Sequence, residues 1–231
     1  MREPRHPTSS RPKLRAVLVI ACCLITSACS LGHLIPGSST STSAPQEPQA
    51  IRVASSSLIT KPGTSEPKVV LSLYEDFLCP VCGKFEQTFG PTITKLIDSG
   101  AVAADYNMVA ILDSPQRQNY SSRAGGAAYC VADADNSPDK SAFRRFHAVL
   151  FAQQPPETGS QFPSNAALAD AARQAGVSAS DCIDAGRHTE LSAGLAKATN
   201  INATPTVRIN GEDYEYSTPD ALAAKVKELL G

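Results

Sequence analysis

Apolar and polar positions along the chain change their period several times, and each change marks an element. Apolar runs over 51–58 and 68–74 read as strands, and 102–112 reads as a third. Between the second and third, Phe85, Phe89, Ile93 and Leu96 recur at helical spacing. That spacing predicts a helix over 79–98, stopped by Gly100 and kinked at Pro91. Near the C-terminus, Thr206-Val207-Arg208-Ile209 and Tyr214-Glu215-Tyr216 flank Asn210-Gly211, a dipeptide that favours a type I′ hairpin turn. A last helix opens at Thr218-Pro219 and carries Leu222, Val226 and Leu229 on one face. The stretch 113–200 is alanine-rich and helical in period. Phe143, Phe146 and Leu150 form one stripe there, and Leu168, Ala171, Ala172 and Ala175 form another, ending at Gly176. The simplest topology is a βαβ unit over 51–112 and a ββα unit over 201–231, separated by a helical insertion of roughly 85 residues that is too long for a loop.

The N-terminus follows different rules. Arg2, Arg5, Arg11, Lys13 and Arg15 precede an apolar stretch over 16–25 and then Thr26-Ser27-Ala28-Cys29. About ten apolar residues are too few to span a bilayer, which needs about 20. The segment 1–29 therefore resembles a bacterial secretion signal ending in a lipobox, with Cys29 acylated as the first mature residue, although Thr26 stands where that pattern prefers an aliphatic. A cleaved soluble form and an uncleaved anchor are the alternatives, and all three place the domain outside the cytoplasm. A Ser/Thr/Pro-rich stretch within 30–50 reads as a tether.

The chain has 231 residues, of which 42% are hydrophobic, enough for a real core. Its net charge of -1 argues against a nucleic-acid surface. Of seven cysteines, Cys22, Cys23 and Cys29 fall in the N-terminal segment, leaving four in the folded part. Cys79 and Cys82 are close enough to form one pair, so Cys130 partners Cys182 or stays free; a Cys130–Cys182 bond would be a structural staple in an oxidising compartment.

Cys79-Pro80-Val81-Cys82 carries the chemistry. It lies between the second strand and the helix, so the Cys79 sulfur faces unpaired backbone N–H groups and the positive end of the helix dipole, both of which favour thiolate. Thiolate is the attacking species in disulfide exchange. The plainer readings are a permanently closed disulfide or half of a zinc site. No second Cys-x-x-Cys or Cys-x-x-His pair follows at finger spacing, so no metal is expected.

Glu75-Asp76-Phe77-Leu78-Cys79-Pro80-Val81-Cys82-Gly83-Lys84-Phe85-Glu86, the helical insertion, and Ala203-Thr204-Pro205-Thr206-Val207 before the hairpin together resemble the DsbA-like thioredoxin-fold thiol-disulfide oxidoreductases, in particular the membrane-tethered DsbA-like proteins of actinobacteria. The resemblance covers nearly everything from Ile51 to Gly231. It implies an α/β thioredoxin fold, a central mixed sheet flanked by helices with an inserted α-helical subdomain. Cys79 would be the exposed nucleophile and Cys82 the shielded partner that resolves the mixed disulfide. Pro80 and Val81 would tune the thiolate, and Pro205 would be the family's cis-proline, lining a substrate groove with Thr204. Glu86 would handle protons; on periodicity alone it is a solvated helix position. Val81 stands where the best-known members have a histidine, which implies a less extreme thiolate and a weaker oxidant.

The implied function is extracytoplasmic disulfide formation in reduced or unfolded secreted proteins, with the Cys79–Cys82 disulfide as the only redox group and no cofactor. The implied re-oxidant is a membrane homologue of vitamin K epoxide reductase. A disulfide reductase or isomerase, and a chaperone-like peptide-binding module with structural disulfides, remain as alternatives. Outside the resemblance, Glu75 and Asp76 read as capping or solvating a strand end, and His147 as a surface or half-buried side chain of the insertion. Lys84 and Arg208 read as solubilising charges.

Overall fold

The structure, a computed structural model, describes residues 50–231. The expected secretion signal, Cys29 and the tether up to residue 49 lie outside the described residues.

Five strands form one mixed sheet in the order β1-β3-β2-β4-β5. Strand β1 (Ile51–Val53) pairs antiparallel with β3 (Ala103–Met108), which runs parallel to β2 (Val70–Glu75). Strand β4 (Thr206–Ile209) pairs antiparallel with β2 and with the two-residue β5 (Glu212–Asp213). Strand β2 is central and nearly all of it is buried, so no in-out alternation marks it, and its polar Ser72 and Glu75 are buried with the apolar side chains.

Three expected boundaries shift. Strand β1 stops at Val53 instead of running to 58, because Ser55-Ser56-Ser57 makes a turn in which the Leu58 N–H donates to the Ser55 carbonyl at 3.1 Å. Strand β3 ends at Met108 rather than 112, where the Leu112 N–H is drawn to the Asp76 carboxylate at 2.9 Å. The second hairpin strand is Glu212–Asp213 rather than the tyrosine-flanked 214–216. Asn210 and Gly211 both adopt positive φ (51° and 88°), which brings Glu212 directly opposite Ile209 in a two-residue turn.

Helix α1 (Pro80–Asp98) joins β2 to β3 and continues through Pro91. Cys82, Phe85, Phe89, Ile93 and Ile97 are on its buried side. It ends where Gly100, at φ 75°, lets the chain reverse with N–H donation from Gly100 to the Ile97 carbonyl and from Ala101 to the Leu96 carbonyl. The terminal helix α7 (Pro219–Leu230) is capped by the Thr218 hydroxyl, which accepts from the Ala221 N–H at 3.1 Å.

Between β3 and β4 lie a 3-10 turn (Pro115–Arg117) and five helices: α2 (Tyr120–Ala134), α3 (Ser141–Ala152), α4 (Asn165–Gln174), α5 (Ser180–Asp184) and α6 (Thr189–Ala198). Helix α2 is buried on most of its surface and forms the insertion's axis. At Gly125 a β-carbon would meet the Ser192 hydroxyl at 2.1 Å, so α6 packs directly on the α2 backbone. That hydroxyl donates to the Met108 carbonyl at 2.7 Å, tying α6 to the end of β3. Helix α3 presents Phe143, Phe146, His147, Leu150 and Phe151 inward, and its Arg145 closes the end of α4 by donating to the Ala175 carbonyl at 2.9 Å.

Cys130 on α2 and Cys182 on α5 are joined by a disulfide that spans 52 residues. In the chain-entropy account a loop of that length restricts the unfolded chain by about 4 kcal/mol. Replacing both cysteines by alanine should lower the unfolding free energy of the reduced-site protein by about 2–4 kcal/mol in urea titrations; an unchanged midpoint would mean that the bond constrains nothing that the packing of α2 on α5 does not already hold.

Candidate active site

The loop between β2 and α1 has its polar groups held from several directions. Asp76 is fully buried; its carboxylate accepts from the Leu78 N–H at 2.8 Å and the Leu112 N–H at 2.9 Å, and its carbonyl accepts from the Cys79 N–H at 2.9 Å. Cys79 thereby becomes the N-cap residue of α1, with extended backbone, and Pro80 follows at the first helical position, where its missing N–H leaves no bond unmade. No side chain caps this helix end. The first-turn N–H groups are left to the cysteine sulfur.

Cys79 and Cys82 are both free thiols, with unequal surroundings. Cys79 is 7% exposed and Cys82 fully enclosed. The Cys79 thiol is held down to about 5, chiefly by the Cys82 thiol donating to it, with further help from the nearby Thr204 side chain and the backbone N–H groups of Cys82 and Val81, against the opposing effect of burial. The Cys82 thiol is pushed far up by burial, by that same hydrogen bond and by nearby Glu75. One sulfur is thus an anion at neutral pH and its neighbour remains protonated. Val81, 54% exposed, adds no charge.

The segment before β4 meets the pair from the other side. As a thiol, Cys79 donates to the Thr204 carbonyl at 3.4 Å, and the Thr204–Pro205 peptide is cis. The residues 204 and 79 that this contact joins are far apart in the chain, and β4 pairing with β2 places them together.

Beneath the pair lies a buried cluster that the sequence reading missed. Glu75, expected at a solvated strand end, has no exposure, and His147, expected at or near the surface, is 4% exposed. His147 Nε2 and Glu75 Oε2 are 2.9 Å apart, and His147 Nδ1 lies 3.9 Å from Glu86 Oε2. Burial pushes Glu75 and Glu86 up to about 8, and for Glu86 the neighbouring Glu75 charge adds to the rise. Burial lowers His147, so it stands as neutral imidazole. Asp76 is also raised by burial, to about 6. Glu86 and His147 face a cavity of about 360 Å³ between α1 and α3, which Tyr106, Arg144 and Phe151 also line. A signal for His147 existed in the sequence: it sits four residues from both Phe143 and Phe151, on the stripe that faces inward. Nothing comparable marked Glu75, because a strand buried on both faces has no alternation to read.

Among the described residues, Glu75, Glu86 and His147 could each bring one metal-ligating atom within 4.8 Å of the others. Glu75 Oε2 is hydrogen-bonded to His147, while Glu75 Oε1 and Glu86 Oε1 are buried without a hydrogen-bond partner among the described residues. Cys130, Cys182 and His188 also converge, but their sulfurs are spent in the disulfide.

The family description Thioredoxin matches residues 60–228. This chain belongs to the thioredoxin family. The likeness extends to solved structures: reduced DsbA of Mycobacterium tuberculosis is 60% identical, with 79% of this chain and 92% of that one aligned at a TM-score of 0.76. The reduced disulfide bond oxidoreductase DsbG of the same organism is also 60% identical, with 80% and 89% aligned at 0.77. BdbD of Bacillus subtilis, at 22% identity over 79% of this chain and 94% of its own, shares the fold at a TM-score of 0.59. Part of the serine/threonine-protein kinase PknE of M. tuberculosis is 30% identical over 147 residues, 62% of this chain; the chain spans about a quarter of that relative's length. Within the thioredoxin family this chain is a DsbA-like protein thiol-disulfide oxidoreductase.

Two titrations follow from these surroundings. Cys79 should ionise with a midpoint near 5, read as thiolate absorbance that is present above that pH and lost in a Cys79→Ser variant. Glu75 has a folded value raised above that of an unfolded carboxyl, about 4.3, so its contribution to stability is fully present below about 4 and is lost as pH rises toward 8. Glu75→Gln should therefore gain stability relative to wild type between pH 4.5 and pH 8, by more than the roughly 1.4 kcal/mol of a single pK unit. Denaturant titrations at the two pH values measure it, and a difference that stays constant with pH would contradict it.

Proposed function

We propose that this protein is a donor of disulfide bonds to reduced secreted proteins, acting outside the cytoplasm. The observation that carries the reading is the inequality of the two sulfurs, Cys79 stabilised as an anion near the surface and Cys82 sealed and protonated. Stabilising the thiolate stabilises the reduced enzyme, and an enzyme whose reduced form is stable gives its disulfide away readily.

In that reaction a substrate thiolate attacks Cys79 Sγ of the oxidised enzyme. The Cys79–Cys82 bond breaks, its electron pair goes to Cys82, and Cys82 takes a proton. A second substrate thiolate then attacks the substrate sulfur of the mixed disulfide, and Cys79 leaves as thiolate. Two electrons pass from substrate to enzyme. Thr204 and Pro205 line the groove in which an extended substrate backbone lies, Pro80 and Val81 tune the thiolate, and Glu86 takes part in proton transfer near Cys82. Cys130 and Cys182 brace the insertion. No cofactor beyond the cysteine pair is called for.

Re-oxidation needs a membrane acceptor of electrons, for which a vitamin K epoxide reductase homologue is the proposed partner. Lipidation at Cys29 would hold the enzyme beside it and raise its effective concentration. A second reading, a reductase or isomerase, shares every feature of this site, and equal identity to structures named DsbA and DsbG leaves the direction of electron flow to be measured.

The deciding quantity is the reduction potential of the Cys79–Cys82 pair in glutathione buffers. A value between about -120 and -200 mV is expected for a donor; one near -270 mV would favour a reductase, and one below about -300 mV would make the pair structural. Cys79→Ser and Cys82→Ser should each abolish oxidation of a reduced substrate protein, because neither variant can form the Cys79–Cys82 disulfide that the substrate thiolate attacks.

A further inference from the structure

Gln154 follows the end of α3, and its side chain reaches out of the insertion into the active-site loop. Its Nε2 lies 2.9 Å from the Phe77 carbonyl and 2.9 Å from the Cys79 carbonyl, so the two amide protons are donated to the two residues that flank Leu78. The loop's donors are otherwise occupied: the N–H groups of Leu78 and Cys79 are held by Asp76. Its acceptors are less well served. The Cys79 carbonyl receives the Gly83 N–H at 3.2 Å as the first turn of α1, and Gln154 supplies the second donor. One side chain thus sets the orientation of the peptide planes on both sides of the turn into Cys79.

The same contact explains a glycine in the first turn of α1. A β-carbon at position 83 would lie 2.7 Å from Gln154 Oε1. Glycine within a helix is unfavourable by about 1 kcal/mol relative to alanine, and here it opens the slot in which the amide sits.

We propose that Gln154 is a positioning residue that holds the Cys79 sulfur in register with the N–H groups of Val81 and Cys82, so that the helical insertion helps to set the redox properties of the thioredoxin site. This rests on Cys79 being the exchanging sulfur. The argument is geometric: Gln154 clamps the Cys79 carbonyl and so fixes the Cys79 torsions, and two of the donors that favour the thiolate, the N–H groups of Val81 and Cys82, belong to the backbone of the first turn, where their alignment on Sγ depends on those torsions. The titratable groups whose charge couples to Cys79 are Glu75 and Asp76 at the end of β2, Cys82 on α1 and Tyr216 beyond β5, and all of them are left in place by the substitutions below.

Gln154→Met keeps the length of the side chain and removes both donors. Gly83→Ala leaves Gln154 intact and displaces its amide from the slot. In the full chain, each is expected to move the Cys79 titration upward by about one unit, so that alkylation of Cys79 at a pH below both midpoints slows about tenfold. Each should also shift the exchange equilibrium with glutathione toward the disulfide form about tenfold, or about 30 mV more negative. The double variant should be no worse than either single one, because both remove the same contact. A packing role alone would change the unfolding midpoint and leave the titration and the equilibrium where they are. Folded Gln154→Met or Gly83→Ala protein with a wild-type alkylation profile overturns the proposal, and if the first does not fold the second still decides. A wild-type Cys79 that titrates as an ordinary thiol would instead overturn the functional reading beneath it.

Discussion

A sulfur anion has to be kept at the edge of an apolar core, and the rest of the site is arranged around that constraint. Burial opposes the charge on Cys79, as it does for any ion leaving water. The opposition is overcome at short range by the Cys82 thiol, by the side chain of Thr204 and by two N–H groups at the start of α1. Each comes from a segment with its own reason for being there. The helix start is set by the buried Asp76 turn and Pro80, and Thr204 is brought in by β4 pairing with the central strand.

The helical insertion serves this arrangement as a brace. It is fastened to itself by the Cys130–Cys182 bond and by the close approach of α6 to α2, and to the sheet by Ser192 on the Met108 carbonyl. Helix α3 and the residues just after it then reach the site twice, with His147 under Glu75 and Gln154 on the loop carbonyls. A rigid insertion makes those two contacts stable in position, since a mobile one would give up the alignment of a 2.9 Å hydrogen bond with little displacement.

Carboxyl groups so close to a thiolate would be unfavourable if all were ionised together. Glu75, Asp76 and Glu86 are each raised by burial, and the thiolate's own charge adds to that for Glu75 and Asp76. Protons held on Glu75 and Glu86 at neutral pH limit the negative charge beneath the cysteine pair. The neutral ring of His147 lies between two of these carboxyls, so the cluster can keep its hydrogen bond whichever of them holds the proton.

By itself the sequence determined the elements whose cause is local: the amphipathic α1, the two-residue turn at Asn210-Gly211, the capped α7, and the placing of Cys79-Pro80-Val81-Cys82 at a helix start, because periodicity, φ preferences and capping act within a few residues. The motif together with Thr204-Pro205 and the intervening helical stretch also made the family legible. Only the tertiary structure decided what lies around the sulfur. Strand β1 was cut short by a turn and β5 moved by two residues, since strand ends are set by partners rather than by propensity. Glu75 looked like a strand-end charge and His147 like a surface side chain, yet they meet across 72 residues, and Gln154 carried no signal at all for a contact 75 residues away with Cys79. Burial and long-range hydrogen bonding are properties of the packed chain, and no periodicity in the sequence records them.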